Sequence, residues 1–158
     1  MKNIKKIIIA ALLILSLFTA CGSKEEATVV NPDDITAAVM SAIEFPSPVK
    51  KDAESIGVYY TTLDTNSVER MSVYVCGSGA YPDEIAVFEF TDSDTADAGY
   101  EAVTKRYDDL VATFTDYTPE EMYKLESPVM SIYGSYVIFI DCSDNEKADE
   151  IIRTYYKQ

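Results

Sequence analysis

The chain has 158 residues, 47% of them hydrophobic, with 27 Asp and Glu against 13 Lys and Arg and no histidine. Nucleic acid and anionic lipid headgroups are both held by basic side chains, so a formal charge of −14 argues against either as a partner. Without histidine there is no Ser-His-Asp or Cys-His catalysis, and the commonest metal ligand is missing.

The first twenty residues read as an export segment. Lys2, Lys5 and Lys6 give a positive start, and Ile7 to Phe18 is an apolar run broken only by Ser16. That length suits a signal-peptide core and falls short of the roughly 20 residues a spanning helix needs. Phe18-Thr19-Ala20-Cys21 resembles the bacterial lipobox, with Phe18 where Leu is usual. The expectation is cleavage after residue 20 and a diacylglyceryl anchor of the palmitate-bearing type on Cys21, since two acyl chains hold a protein on a membrane where one does so only marginally. Residues 21–30 then form a lipidated polar tether, and residues 31–158 a single domain on the extracytoplasmic face of the cell membrane. Three basic residues leave with the signal, so ten face 27 acidic ones in the remainder, a formal −17.

Asn31-Pro32-Asp33-Asp34 carries helix-start signals, and Ile35, Val39, Ala42 and Ile43 recur at helical spacing until Pro46, predicting a helix over 33–45. Residues 46–69 lack a clean period and read as irregular, with a short helical turn around Ile56 to Leu63. Met71, Val73 and Val75 alternate with Ser72, Tyr74 and Cys76, and Ile85 to Phe90 is apolar and β-rich, so a hairpin with a long Gly77-Ser78-Gly79 to Pro82 loop is expected. After Asp94 as N-cap, Ala96, Tyr100, Val103, Tyr107, Leu110 and Phe114 mark the face of a long helix. Thr118, Pro119 and Glu121 suggest a capping box opening a short helix with Met122 and Leu125 inward. Val129–Tyr133 and Tyr136–Cys142 flank Gly134-Ser135, a type II′ hairpin signal. Asp144 then caps a last helix with an Ala148, Ile151, Ile152 and Tyr155 stripe.

This order predicts an α+β fold: duplicated ββα units giving a four-stranded antiparallel sheet with helices packed on one face, preceded by an N-terminal helix. The Asp83-Glu84-Ile85-Ala86-Val87-Phe88 strand entry, the Tyr117-Thr118-Pro119-Glu120-Glu121 cap and the Tyr136-Val137-Ile138-Phe139 strand resemble the family catalogued as domain of unknown function 4358, over roughly residues 33–156. That resemblance implies a small lipoprotein of a Gram-positive bacterium, in agreement with the lipobox, and brings no established activity, ligand or catalytic residue.

The candidate sites are few. Gly77-Ser78-Gly79 joins two strands and is followed by acids, so it reads as a turn rather than a phosphate cradle. Asp92, Asp94 and Asp97 miss the calcium-loop spacing and suit a helix N-terminus. No acidic pair, Glu120-Glu121 included, is marked out for sugar hydrolysis. Cys76 and Cys142 are either small buried hydrophobes or a disulfide. Twelve tyrosines are the one unusual feature, and Tyr81, Tyr133 and Tyr136, flanking hairpin turns, form a candidate binding patch if the hairpin ends are close. The sequence therefore suggests a non-enzymatic binding or interaction module of the cell envelope, with no cofactor or metal, acting on an envelope protein or small ligand. The alternatives are a carboxylate- or metal-dependent enzyme and a structural or inhibitory partner of a membrane protein.

Overall fold

The computed structural model describes residues 29–156; the signal segment, Cys21 and the tether up to residue 28 lie outside the described residues. The first helix, α1 (Pro32–Ala42), starts as its sequence dictates: the Asn31 side chain accepts from the Asp33 N–H and Pro32 occupies the first turn, where its missing N–H costs nothing. Strand β1 (Pro48–Lys51) and a single turn α2 (Ile56–Tyr59) lead through a 3-10 turn at Thr65–Ser67 into β2 (Val68–Cys76) and β3 (Glu84–Phe90). The long helix α3 (Ser93–Tyr117) follows, then a 3-10 turn (Pro119–Glu121), a four-residue α4 (Met122–Leu125), the hairpin β4 (Val129–Tyr133) and β5 (Tyr136–Asp141), and α5 (Asn145–Tyr156). Gly134 is the residue of the β4–β5 turn with positive φ, +60°, as type II′ requires of its first central position.

All strands pair antiparallel in the order β1-β2-β3-β5-β4. The expected four strands are five. Pro48–Lys51 pairs along the outer edge of β2, and its exposed residues carry no alternation a sequence reading can detect. The helices are also not confined to one face. Ala86, Phe88, Phe90, Val137 and Phe139 point toward α3 with Val103, Leu110 and Phe114, while Ile85, Val87, Ile138 and Ile140 point the other way to Ile35 and Val39 of α1 and Ala148 and Ile152 of α5. The two strand–strand–helix segments thus send their helices to opposite faces, which removes the expected duplication. The cause is legible in β3 and β5: every residue of both strands is buried, the uninterrupted pattern of strands covered on both sides.

Two caps differ from expectation. Asp92, not Asp94, caps α3 in a reciprocal box with Thr95, because it is Asp92 that takes extended backbone (φ −160°) and reaches the Thr95 N–H at 2.8 Å. Thr118 makes no side-chain cap bond, and Glu121 instead holds Lys124 at 2.7 Å. Where α3 crosses the sheet, Gly99 lies beneath the Phe90 ring, and a Cβ there would fall 2.0 Å from Phe90 Cζ. Gly99→Ala is therefore expected to force the helix off the strand and cost about 1–3 kcal/mol, read as a lower urea midpoint with unchanged slope. An unaltered midpoint would contradict that contact.

Candidate functional site

Period-two alternation puts Glu84, Ala86 and Phe88 of β3 on one face with Val137, Phe139 and Asp141 of β5, so the two acids meet as direct cross-strand partners at one end of the sheet. Both are fully buried. Arg106 of α3 reaches down to Glu84 with Nε at 3.0 Å and Nη2 at 2.6 Å on the same oxygen, and the Tyr60 hydroxyl donates to the other. Tyr60 is itself held edge-on against Phe88, 5.0 Å between ring centres. Burial, and then the Glu84 charge, push its hydroxyl well above its ordinary pKa, so it stays protonated and remains a donor.

Beside this pair, Asp83 accepts from Lys124 Nζ at 2.6 Å, and both side chains are withdrawn from solvent. Burial works against the Lys124 charge, but the carboxylates of Asp83 and Glu121 outweigh it and hold the ammonium above its ordinary pKa. Asp141 is different. Neither of its oxygens has a partner, and burial together with the nearby Asp83 and Glu84 charges pushes its carboxyl up to about 8. Three buried carboxyls thus share two cations, and this buried set is neutral when Asp141 keeps its proton, with the half-buried Glu121 a further carboxylate on Lys124.

Of this cluster, Asp83, Glu84 and Arg106 line a half-open cleft of about 340 Å³. Its apolar wall comes from Val75, Leu110 and Phe114, and its rim from Lys51, Tyr59, the Gly77–Tyr81 loop, Arg106 and Thr113. Lys51 Nζ stands 4.7 Å and the Arg106 guanidinium 5.4 Å from the centre of the Tyr59 ring. Tyr81 is 41% exposed and lies 4.9 Å from Lys124 Nζ. The loop behaves as a turn: the Gly77 N–H donates to Ser47 O and the Gly79 N–H to Cys76 O, and Gly77 is small because a Cβ there would meet Val49 Cγ2 at 2.5 Å.

The three candidate tyrosines do not come together. Tyr81 stands at the cleft, whereas Tyr136 pairs with Glu89 five residues along β3, about 17 Å away. Tyr136 is buried, its hydroxyl donating to Glu89 Oε1 at 2.9 Å and accepting from the Val30 N–H at 3.2 Å, and Tyr133 stacks on Tyr156 with 4.2 Å between ring centres. The condition for the patch, proximity of the two hairpin ends, fails because antiparallel neighbours β3 and β5 put their turns at opposite ends. Cys76 and Cys142 are free and buried. They belong to strands on either side of β3, about 9.5 Å apart, beyond the reach of roughly 7 Å between Cα atoms that a disulfide spans. What sequence reading missed was Glu84 and Asp141, although both stand in phase with the inward residues of apolar strands.

The fold and this site define a small mixed α and β domain, its antiparallel sheet covered on both faces and a cluster of buried charges at one sheet end. The chain belongs to the family described as Domain of unknown function (DUF4358), whose profile matches residues 29–142, from the entry into α1 to the end of β5. No curated protein and no solved structure matches it.

Proposed function

We propose that this protein is a non-enzymatic binding module, anchored through Cys21 on the extracytoplasmic face of the cell membrane, with the cleft as its ligand site. The observation that carries this reading is the placement of the chain entry. Val30 is pinned beside Tyr136 and Arg70 at one end of the sheet, while the cleft opens at the other, by Glu84 and the C-terminal part of α3. A domain tethered at Val30 presents that cleft away from the lipid, toward whatever the envelope supplies. Binding fits the site better than catalysis, because the two carboxylates nearest the cleft are engaged by Arg106 and Lys124. Among the described residues no helix is long and apolar enough to cross a membrane.

The test uses Thr113, an exposed residue on the cleft rim. Thr113→Cys in the full chain, expressed in a Gram-positive host, is expected to react with a membrane-impermeant maleimide on intact cells nearly as completely as after lysis. Cys76 and Cys142 are buried and add little background. Cys21→Ala is expected to abolish incorporation of a palmitate label that the wild-type chain takes up. Maleimide labelling that needs lysis, or palmitate incorporation that survives Cys21→Ala, would overturn the reading.

A further inference from the structure

Two cationic donors at the cleft, Lys51 Nζ and Arg106 Nη1, have no acceptor among the described residues, and Asp83 Oδ1 is the carboxylate oxygen there without a partner. Of the cations among the described residues, Lys50, Arg70, Lys105, Arg106, Lys124 and Arg153 each hold a carboxylate and Lys147 holds the Ala42 carbonyl oxygen. Lys51 is the one among them with neither, in a chain carrying 27 acidic residues. It is not free on the outer surface but half-buried on the cleft rim, its ammonium against Tyr59. Arg106 gives Glu84 its Nε and Nη2, which leaves Nη1 and its two N–H groups without an acceptor at the same ring. Below them the wall of Val75, Leu110 and Phe114 is apolar.

We propose that this cleft takes a small organic monocarboxylate, its anionic group between Lys51 Nζ and Arg106 Nη1 and its apolar body on Val75, Leu110 and Phe114. The proposal rests on the cleft being the ligand site and adds the chemistry of the ligand. Charge selects a monoanion. Glu84 already holds Arg106, so Lys51 is the one cation of the lining with no carboxylate in contact, a single charge that a carboxylate matches and a phosphate dianion exceeds. The overall negative charge of the chain does not forbid this, because at physiological salt exposed charges beyond about 8 Å are largely screened, whereas the ligand carboxylate would meet Lys51 and Arg106 directly. The apolar wall selects against bare inorganic anions, which gain nothing from it.

The experiment is ligand-observed NMR on the full-length chain in detergent micelles, using benzoate as probe, benzamide as its uncharged counterpart and inorganic phosphate as competitor. Benzoate is expected to show saturation transfer at least tenfold above benzamide. The signal should disappear in Lys51→Gln and persist in Lys51→Arg, two substitutions on an edge strand that leave the buried charge cluster in place. Phosphate at the benzoate concentration should not displace it. Equal signals from benzoate and benzamide, a signal indifferent to Lys51→Gln, or displacement by equimolar phosphate would each overturn the assignment. Because these measurements use purified protein, they fail independently of the cell-surface labelling that tests membrane location.

Discussion

Arg106→Ala is expected to lower the stability of the domain by about 3–5 kcal/mol, the range for removing one member of a buried ion pair. The reason is the partner left behind. Glu84 has no solvent exposure, and without Arg106 its charge retains a single donor, the Tyr60 hydroxyl. Domains of this size are stable by roughly 5–15 kcal/mol, so the loss is about a fifth of the total or more and the urea midpoint should fall in proportion. Adding Glu84→Gln to Arg106→Ala removes the orphaned charge and should recover part of the loss, a coupling of at least about 1 kcal/mol between the two positions. If the double variant is as unstable as the sum of the two single ones, the pair contributes by packing alone and charge balance does not govern the stability of the cluster.

The same residues show how far the sequence could be read. Elements with a strong period were legible: the α3 stripe from Ala96 to Phe114, the Gly134-Ser135 turn, and the helix entered through Asn31-Pro32. Strand β1 was not, because its four residues on a sheet edge are exposed or only half-buried and so leave no apolar pattern. The layering was misread for a different reason. An antiparallel sheet commonly keeps one face wet, but Ile85–Phe88 and Val137–Ile140 are continuous apolar runs, and continuity rather than alternation marks a strand buried on both faces. The charged cluster was hidden because attention to sequence neighbours favours pairs such as Glu120-Glu121. Glu84 and Asp141 are 57 positions apart and adjacent only through the β3–β5 register, which no local spacing encodes. The tyrosines mislead in the opposite direction: frequent enough to suggest a surface, they are mostly drawn into packing, as the Tyr133–Tyr156 stack and the buried Tyr136 hydroxyl show.

Asp141→Asn is expected to stabilise the protein above neutral pH and to flatten its pH dependence. The Asp141 carboxyl titrates near 8 in the fold and near the ordinary 3.8 when the chain unfolds. Between those values the folded state holds a proton that the unfolded state has released, so stability falls as pH rises, by up to about 1.4 kcal/mol for each pH unit, and levels off once the folded carboxyl ionises. The groups that face Asp141 set this behaviour: Asp83 and Glu84 disfavour its charge, while Lys124 and Arg106 favour it but are already held by those same acids. Asparagine cannot ionise, so urea unfolding of wild type and variant at pH 5, 6, 7 and 8 should give curves that diverge steadily, the variant gaining several kcal/mol relative to wild type across that window. Carboxylates with depressed pKa, such as Asp33 with its Lys50 bond and Glu89 with Arg70, contribute the opposite slope, but mainly below their ordinary values of 3.8 and 4.5 and equally in both proteins, so they cancel in the difference. Parallel curves would mean that Asp141 is ionised in the folded protein at neutral pH, and that the cluster carries a net buried negative charge instead of being neutral.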